Sequence, residues 1–310
     1  MTSTPATAHS ATRSGVVFAV AAYLLWGFLP VYFLLLAPTG AFEIVGWRIL
    51  FSLLFCALLV TATRSWRALI AIVRQPRLLG TMALAAVFIY VNWQVFVYGT
   101  ISGHVIETSL GYFINPIVTV LLGVIFLRER LRPLQWTAVG ISAIAVLVIA
   151  INYGAFPWIA LSLAFSFGLY GLIKKRVGPR VDALSGLILE TAWLTPVAVV
   201  QLIIVGATAG LTFGMAGTAN VLLLIGVGVA TAIPLLLFAA ASRRLPLVTI
   251  GFVQYLTPLL QFVIGAVLLH EEITAVRWVG FALVWFALAL LSVDLVRAGR
   301  SARRVVPPLV

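Results

Sequence analysis

Long apolar stretches separated by short polar breaks run along almost the whole chain. A helix rises about 1.5 Å per residue, so about 20 apolar residues cross the ~30 Å hydrocarbon core of a bilayer. The pattern predicts ten spans, at 15–36, 42–63, 78–99, 104–127, 134–151, 156–173, 183–205, 219–240, 247–269 and 277–296. Residues 1–14 are left as a disordered Ser/Thr/Ala-rich tail and 297–310 as a basic one. The alternating pattern of a membrane β-barrel is absent. Helices satisfy their own backbone groups within lipid. The expected class is an all-α polytopic membrane protein.

The stretch from Glu107 to Trp136 has a relative in the second half. At an offset of 142 residues Pro116 meets Pro258, Gly123 meets Gly265, Glu129 meets Glu271 and Trp136 meets Trp278. Such residues are scarce in so apolar a chain, so the matches indicate a duplication. After its helix the first copy is basic, Arg128-Glu129-Arg130-Leu131-Arg132, and the second is acidic, His270-Glu271-Glu272-Ile273-Thr274. Short basic loops stay in the cytoplasm. One motif on both faces of a membrane marks an inverted repeat. The expected architecture is therefore ten transmembrane helices as two inverted five-helix repeats, 15–151 and 156–296.

Charge placement tests that count. With the N-terminus inside, the cytoplasmic loops and tails hold every Lys and Arg of the 20 in the chain except Arg48 and Arg277. Both termini are expected in the cytoplasm, and a plasma-membrane location follows. The net charge of +12 is explained by this orientation rather than by nucleic acid. With 63% hydrophobic and 9% charged residues, a soluble domain is excluded. Cys56 stands alone, and no nucleotide-, zinc- or serine-hydrolase motif occurs, so neither metal nor cofactor is implied.

Polar residues inside spans supply the candidate chemistry. His104, Glu107, Thr108, Gly111 and Asn115 share one helical face, as do Gln254, Thr257, Gln261 and Gly265, and Tyr90, Gln94 and Tyr98. These faces line either a shared cavity or dry, hydrogen-bonded helix contacts. Trp26, Trp93 and Trp193 are deep enough either to pack in the core or to line that cavity. Arg48, Glu107 and Glu190 are ionisable groups well inside spans. Arg48 and Glu107 match in depth and are expected either to pair as an outer gate when the external mouth is closed or to pin two spans. Glu190 has no base within its own helix, and Lys174 and Lys175 are expected to snorkel outward. Glu190 is then either a carboxyl that couples transport to protons or a packing element bonded to Thr191 or Asn92. Glu129 and Glu271 read as caps near helix ends.

The residues resemble a known family. Ala22-Tyr23 with Trp26-Gly27, Asn92-Trp93, and His104-x-x-Glu107-Thr108-Ser109-Leu110-Gly111-Tyr112-Phe113-Ile114-Asn115-Pro116 carry the likeness. So do Glu190-Thr191-x-Trp193-Leu194-x-Pro196, Pro234-Leu235-Leu236 and Gly251-Phe252-x-Gln254-Tyr255-x-x-Pro258. They are similar, over about 15–296, to the RarD group of the EamA branch of the drug/metabolite transporter superfamily. The resemblance implies a permease moving a small metabolite or drug by alternating access, with the spans five and ten peripheral. Trp47 stands where the family usually has histidine, and Leu259 where threonine is common. A channel and a membrane-embedded enzyme are the alternatives. Substrate, direction, coupling ion and oligomeric state are not readable from the sequence.

Overall fold

The computed structural model describes residues 5–127, 131–152, 156–177, 180–242, 244 and 253–304. Among these residues every regular element is helical: α1 (Pro5–Leu34), α2 (Ala41–Ala62), α3 (Trp66–Val73), α4 (Pro76–Ile101), α5 (Val105–Leu127), α6 (Pro133–Asn152), α7 (Trp158–Val177), α8 (Ala183–Thr208), α9 (Thr218–Ser242), α10 (Leu256–Val263) and α11 (Ala275–Arg304). A π-helical turn, Ile264–Leu268, continues α10.

Seven of these helices hold stretches long and apolar enough to cross a membrane: Ser14–Leu34, Ala41–Ala62, Pro76–Ile101, Val105–Phe126, Ala183–Thr208, Thr218–Phe238 and Ala275–Asp294. Trp158–Lys174 and Leu256–Leu268 are shorter apolar helices, and α6 is mostly apolar. Large exposed side chains such as Leu54, Leu58, Val87, Val200, Ile203 and Ile204 face outward. They give the bundle the apolar coat that lipid requires. The chain is a multi-pass membrane protein.

Local chemistry explains the helix ends. Pro76 opens α4, where its missing N–H costs nothing. Gly103, at φ +73°, turns the chain between α4 and α5. Asp182 caps α8 by accepting from Leu184 N and Ser185 N, each at 3.0 Å. The π turn hands its backbone on: Leu269 N bonds Ile264 O and Glu271 N bonds Gly265 O, both at 2.9 Å. Three features differ from the sequence expectation. Helix α1 begins at Pro5, inside the expected tail, and α11 runs to Arg304, into the other. The short helix α3 also fills part of the loop after α2. The first six residues of the expected span 247–269 lie outside the described residues.

Helices pack most closely as α5 with α7, α6 with α11, α2 with α8 and α9, α4 with α7, and α1 with α9 and α10. Small residues sit at these crossings, as membrane packing favours. A Cβ on Gly46 would lie 2.8 Å from Leu202, one on Gly111 2.7 Å from the Ala160 carbonyl, and one on Gly228 2.5 Å from the Phe51 carbonyl. Gly228 and Gly111 thus allow backbone-to-backbone contact. At the far ends of the α6–α11 pair, Arg132 Nη1 meets Asp294 Oδ2 at 3.1 Å.

Candidate functional site

A column of polar and aromatic side chains runs through the interior where α2, α4 and α5 meet α7 and α8. Arg48, on α2, has its guanidinium carbon 4.2 Å from the Trp93 ring centre and 5.6 Å from that of Phe33. Tyr112 of α5 lies beside it and donates to Asn92 Oδ1 at 3.1 Å. The Asn92 amide donates in turn to Leu163 O at 3.3 Å and Ser166 Oγ at 3.2 Å on α7. The Tyr112 ring meets Phe167, which meets Tyr170, with centroids 6.0 and 5.9 Å apart. Tyr170 donates to Glu190 Oε2 at 3.2 Å, and Lys174 Nζ lies 2.8 Å from Glu190 Oε1. The structure thus strings Arg48, Asn92 and Glu190 along one path.

This arrangement corrects two expectations. Lys174 does not snorkel away. It turns inward, because Gly186, one turn before Glu190 on α8, leaves the space its ammonium occupies; a Cβ there would lie 2.5 Å from Nζ. Glu190 therefore bonds Lys174 and Tyr170 rather than Thr191 or Asn92. The Thr191 hydroxyl instead bonds its own helix at Leu187 O, 2.8 Å away. Nor do Arg48 and Glu107 pair in this structure: Glu107 lies near the start of α7, with Ile159, Ala160, His104 and Arg277 about it, and its Oε1 is buried without a hydrogen-bond partner. Depth matched them, but Arg48 points into the column and Glu107 towards α7.

The three polar stripes make helix contacts. Gly111 packs on Ala160, and Asn115 donates to Ala164 O at 3.0 Å, so that face of α5 seals against α7. The Thr257 hydroxyl donates to Tyr23 O at 2.7 Å, and the Gln261 amide to Trp26 O at 3.4 Å, binding α10 to α1. Gln254, just before α10, is partly exposed. Gln94 accepts from Gln201 at 3.2 Å, and Gln201 also bonds Tyr90 and Phe42 O. That cluster borders a lateral groove between α2, α4 and α8, lined by Phe42, Tyr90, Pro196, Val200 and Gln201. Tyr98 and Trp193 are exposed rather than interior, at 41% and 46%.

Two acidic caps lie at one end of the bundle. Glu271 accepts from Val105 N at 2.6 Å and Ile106 N at 2.9 Å, which caps α5 as the sequence suggested. Burial raises its pKa above the usual carboxylate range, although these two N–H groups pull the other way. Its counterpart Glu129 lies outside the described residues. Glu43 was not anticipated. Its carboxylate, 1% exposed, accepts from Thr212 N, Thr212 Oγ1 and Phe213 N at 2.9–3.0 Å. An acid in the first turn of a largely apolar span was the available signal, as was Gln201 in Val-Val-Gln-Leu-Ile.

Comparison with known proteins agrees with this picture. Residues 13–151 match the EamA-like transporter family. Protein RarD of Streptomyces exfoliatus is 45% identical over 296 residues, covering 96% of this chain and 93% of that protein. Protein RarD of Escherichia coli (strain K12) is 41% identical over 293 residues, 94% and 98% of the two chains. The uncharacterized transporter YojE of Bacillus subtilis (strain 168) is 38% identical over 298 residues, 95% and 99% of the two. One crystal structure shares the fold at TM-score 0.60 and 17% identity, covering 92% of this chain and 99% of that one. A multi-pass bundle with a polar interior, related over nearly its full length to these proteins, is a membrane transporter, and the chain belongs to the RarD family of the EamA branch.

Proposed function

We propose that the chain is a secondary transporter moving a small metabolite or drug across the plasma membrane by alternating access. Its architecture is ten spans in two inverted five-helix repeats, with both termini cytoplasmic. The helix pairings support the repeat. Exchanging α1 with α7, α2 with α8, α4 with α9, α5 with α10 and α6 with α11 turns the α5–α7 contact into α1–α10, α4–α7 into α1–α9, and α2–α9 into α4–α8. The pairs α2–α8, α5–α10 and α6–α11 map onto themselves, as on a two-fold axis. The basic and acidic copies of the loop motif support inversion rather than parallel repetition.

The observation that carries the reading is the interior column from Arg48 to Lys174. It is shared between the two halves, where a repeat-built transporter holds its cargo. Glu190 with Lys174 is the candidate coupling pair: a proton on the carboxylate would release the ammonium, and deprotonation would recapture it. Metabolite profiling of cells and medium from a deletion strain and an overproducer tests transport, which predicts one compound class shifted in opposite directions. In proteoliposomes that class should accumulate under an imposed pH gradient, and Glu190→Gln should equilibrate it without accumulation. A wild type that equilibrates but never concentrates any compound would act as a channel.

A further inference from the structure

Arg48 holds a positive charge about 10 Å, seven helical steps, from the start of α2. Its side chain is 4% exposed, yet Nε and Nη1 are buried without any hydrogen-bond acceptor. Among the described residues no carboxylate forms an ion pair with it. Glu107 lies near the start of α7 with its Oε1 buried and without a hydrogen-bond partner, Glu190 is held by Lys174 and Tyr170, and Glu43 by Thr212 and Phe213. Among the described residues, the titratable group beside it is the phenol of Tyr112, which is neutral. One turn further along the same face, Ser52 is fully buried and its Oγ is also without a partner.

An arginine kept for structure has its fork of five donors occupied. Leaving Nε and Nη1 unbonded inside a membrane protein is costly, and the cost points to a ligand. The rings of Trp93 and Phe33 cover the guanidinium, so its in-plane N–H edges are what an incoming group meets. Those edges match the two oxygens of a carboxylate or phosphoryl group. Phe33, Trp93, Phe96 and Tyr112 surround the charge with apolar surface.

We infer that the unpartnered Arg48 fork, with the Ser52 hydroxyl, receives the oxyanion of a small organic anion whose apolar body rests on these aromatic rings. The inference rests on the transporter reading and names its substrate class.

The test uses the full-length protein in proteoliposomes. It is offered an equimolar mixture of benzoate, phenylacetate, succinate and phenyl phosphate, with benzamide, phenylacetamide, succinamide, phenol and choline as neutral and cationic counterparts. Protein-dependent uptake should be confined to anions, carboxylates and phenyl phosphate being read separately. It should fall about tenfold or more in Arg48→Met, the loss expected for charge-assisted hydrogen bonds. Should the Met variant not fold, Arg48→Lys keeps the charge, loses the fork and should show a similar fall. Uptake of neutral or cationic compounds, or uptake unchanged in these variants, overturns the anion site and leaves transport standing. If nothing is taken up but the anions raise the melting temperature of wild type and not of the variants, the site stands and the transporter reading falls. No uptake and no anion-dependent melting shift overturns the site.

Discussion

Lys174 Nζ sits 2.8 Å from Glu190 Oε1; the carboxylate is 1% exposed and the lysine side chain 26%, so α7 and α8 share a largely buried ion pair. Removing one member of such a pair leaves the other charge unpaired, at a cost on the order of 3–5 kcal/mol. Lys174→Met should therefore destabilise more than the double variant Lys174→Met with Glu190→Leu, read by thermal unfolding in detergent. Gly186→Ala is a finer probe. Its new methyl collides only with the mobile end of Lys174. It should separate the pair while the protein still folds, and reproduce the transport defect of Lys174→Met. Additive single-variant losses would mean the pair is not coupled.

Glu43 ties the start of α2 to the segment between α8 and α9 through Thr212 and Phe213. Each hydrogen bond to a buried charge contributes about 1.5–3 kcal/mol, and stranded donors add to the loss. Glu43→Ala should lower stability by about 2–4 kcal/mol in total, since these bonds share one carboxylate. Glu43→Gln should fall between wild type and Ala. Equal melting temperatures for all three proteins would remove the clamp.

The spans were legible because apolar length is a strong signal and membrane helices obey it. Most described helix ends lie within a few residues of the expected ones. Interior facing was harder. Depth along a helix placed Arg48 beside Glu107, but rotation about the helix axis decides contact, and it sends Glu107 to α7. The polar stripes were expected to line a cavity or to make helix contacts, and Asn115, Thr257 and Gln261 spend their amides and hydroxyl on neighbouring backbone. Lys174 was misjudged because snorkelling was weighed on the lysine alone. The missing side chain at Gly186, on a different helix, opens its path. The π turn that delivers Glu271 to α5 left no periodic trace in the sequence.

Close helix crossings make a third prediction. A Cβ at Gly228 would lie 2.5 Å from both the carbonyl carbon and the oxygen of Phe51. Backbone cannot step aside as a side chain can, so α9 would have to move off α2. Gly228→Ala should cost about 1–3 kcal/mol, as overpacking typically does. Gly140→Ala, with nothing within 4 Å of the added atom, is the control and should be neutral or better. A melting temperature for Gly228→Ala equal to that control would contradict the packing.

Asp182 gives a pH-dependent prediction. Burial alone would raise its pKa, but the donors at Ser185 and Leu184 outweigh it and hold the group below 3.8. A depressed folded pKa contributes stability that is present above the unfolded value and lost as pH falls through the folded one. Asp182→Ala should cost about 1 kcal/mol at neutral pH, as for a lost N-cap. Asp182→Asn keeps an acceptor without a charge. The wild-type advantage over Asn should shrink below about pH 4, measured by melting temperature across an acid series. A constant difference would show that the charge of the cap is irrelevant.

The orientation of the two halves is the last prediction. Every loop placed in the cytoplasm carries arginine or lysine, whereas the loop after the π turn carries Glu271 and Glu272. Basic loops resist translocation and acidic ones do not, so the basic copy at 128–133 should stay inside and the acidic copy at 270–276 outside. Cys56 is fully buried, so Cys56→Ala should give a background silent to a water-soluble maleimide. On that background, a cysteine at Thr274 should label in intact cells. One at Arg132 should label only after the membrane is opened, as should one at Arg74. Labelling of the Arg132 position from outside, at the rate seen for Thr274, would place both copies on one face. The halves would then be parallel, and the exchange of helix pairings would need a different symmetry.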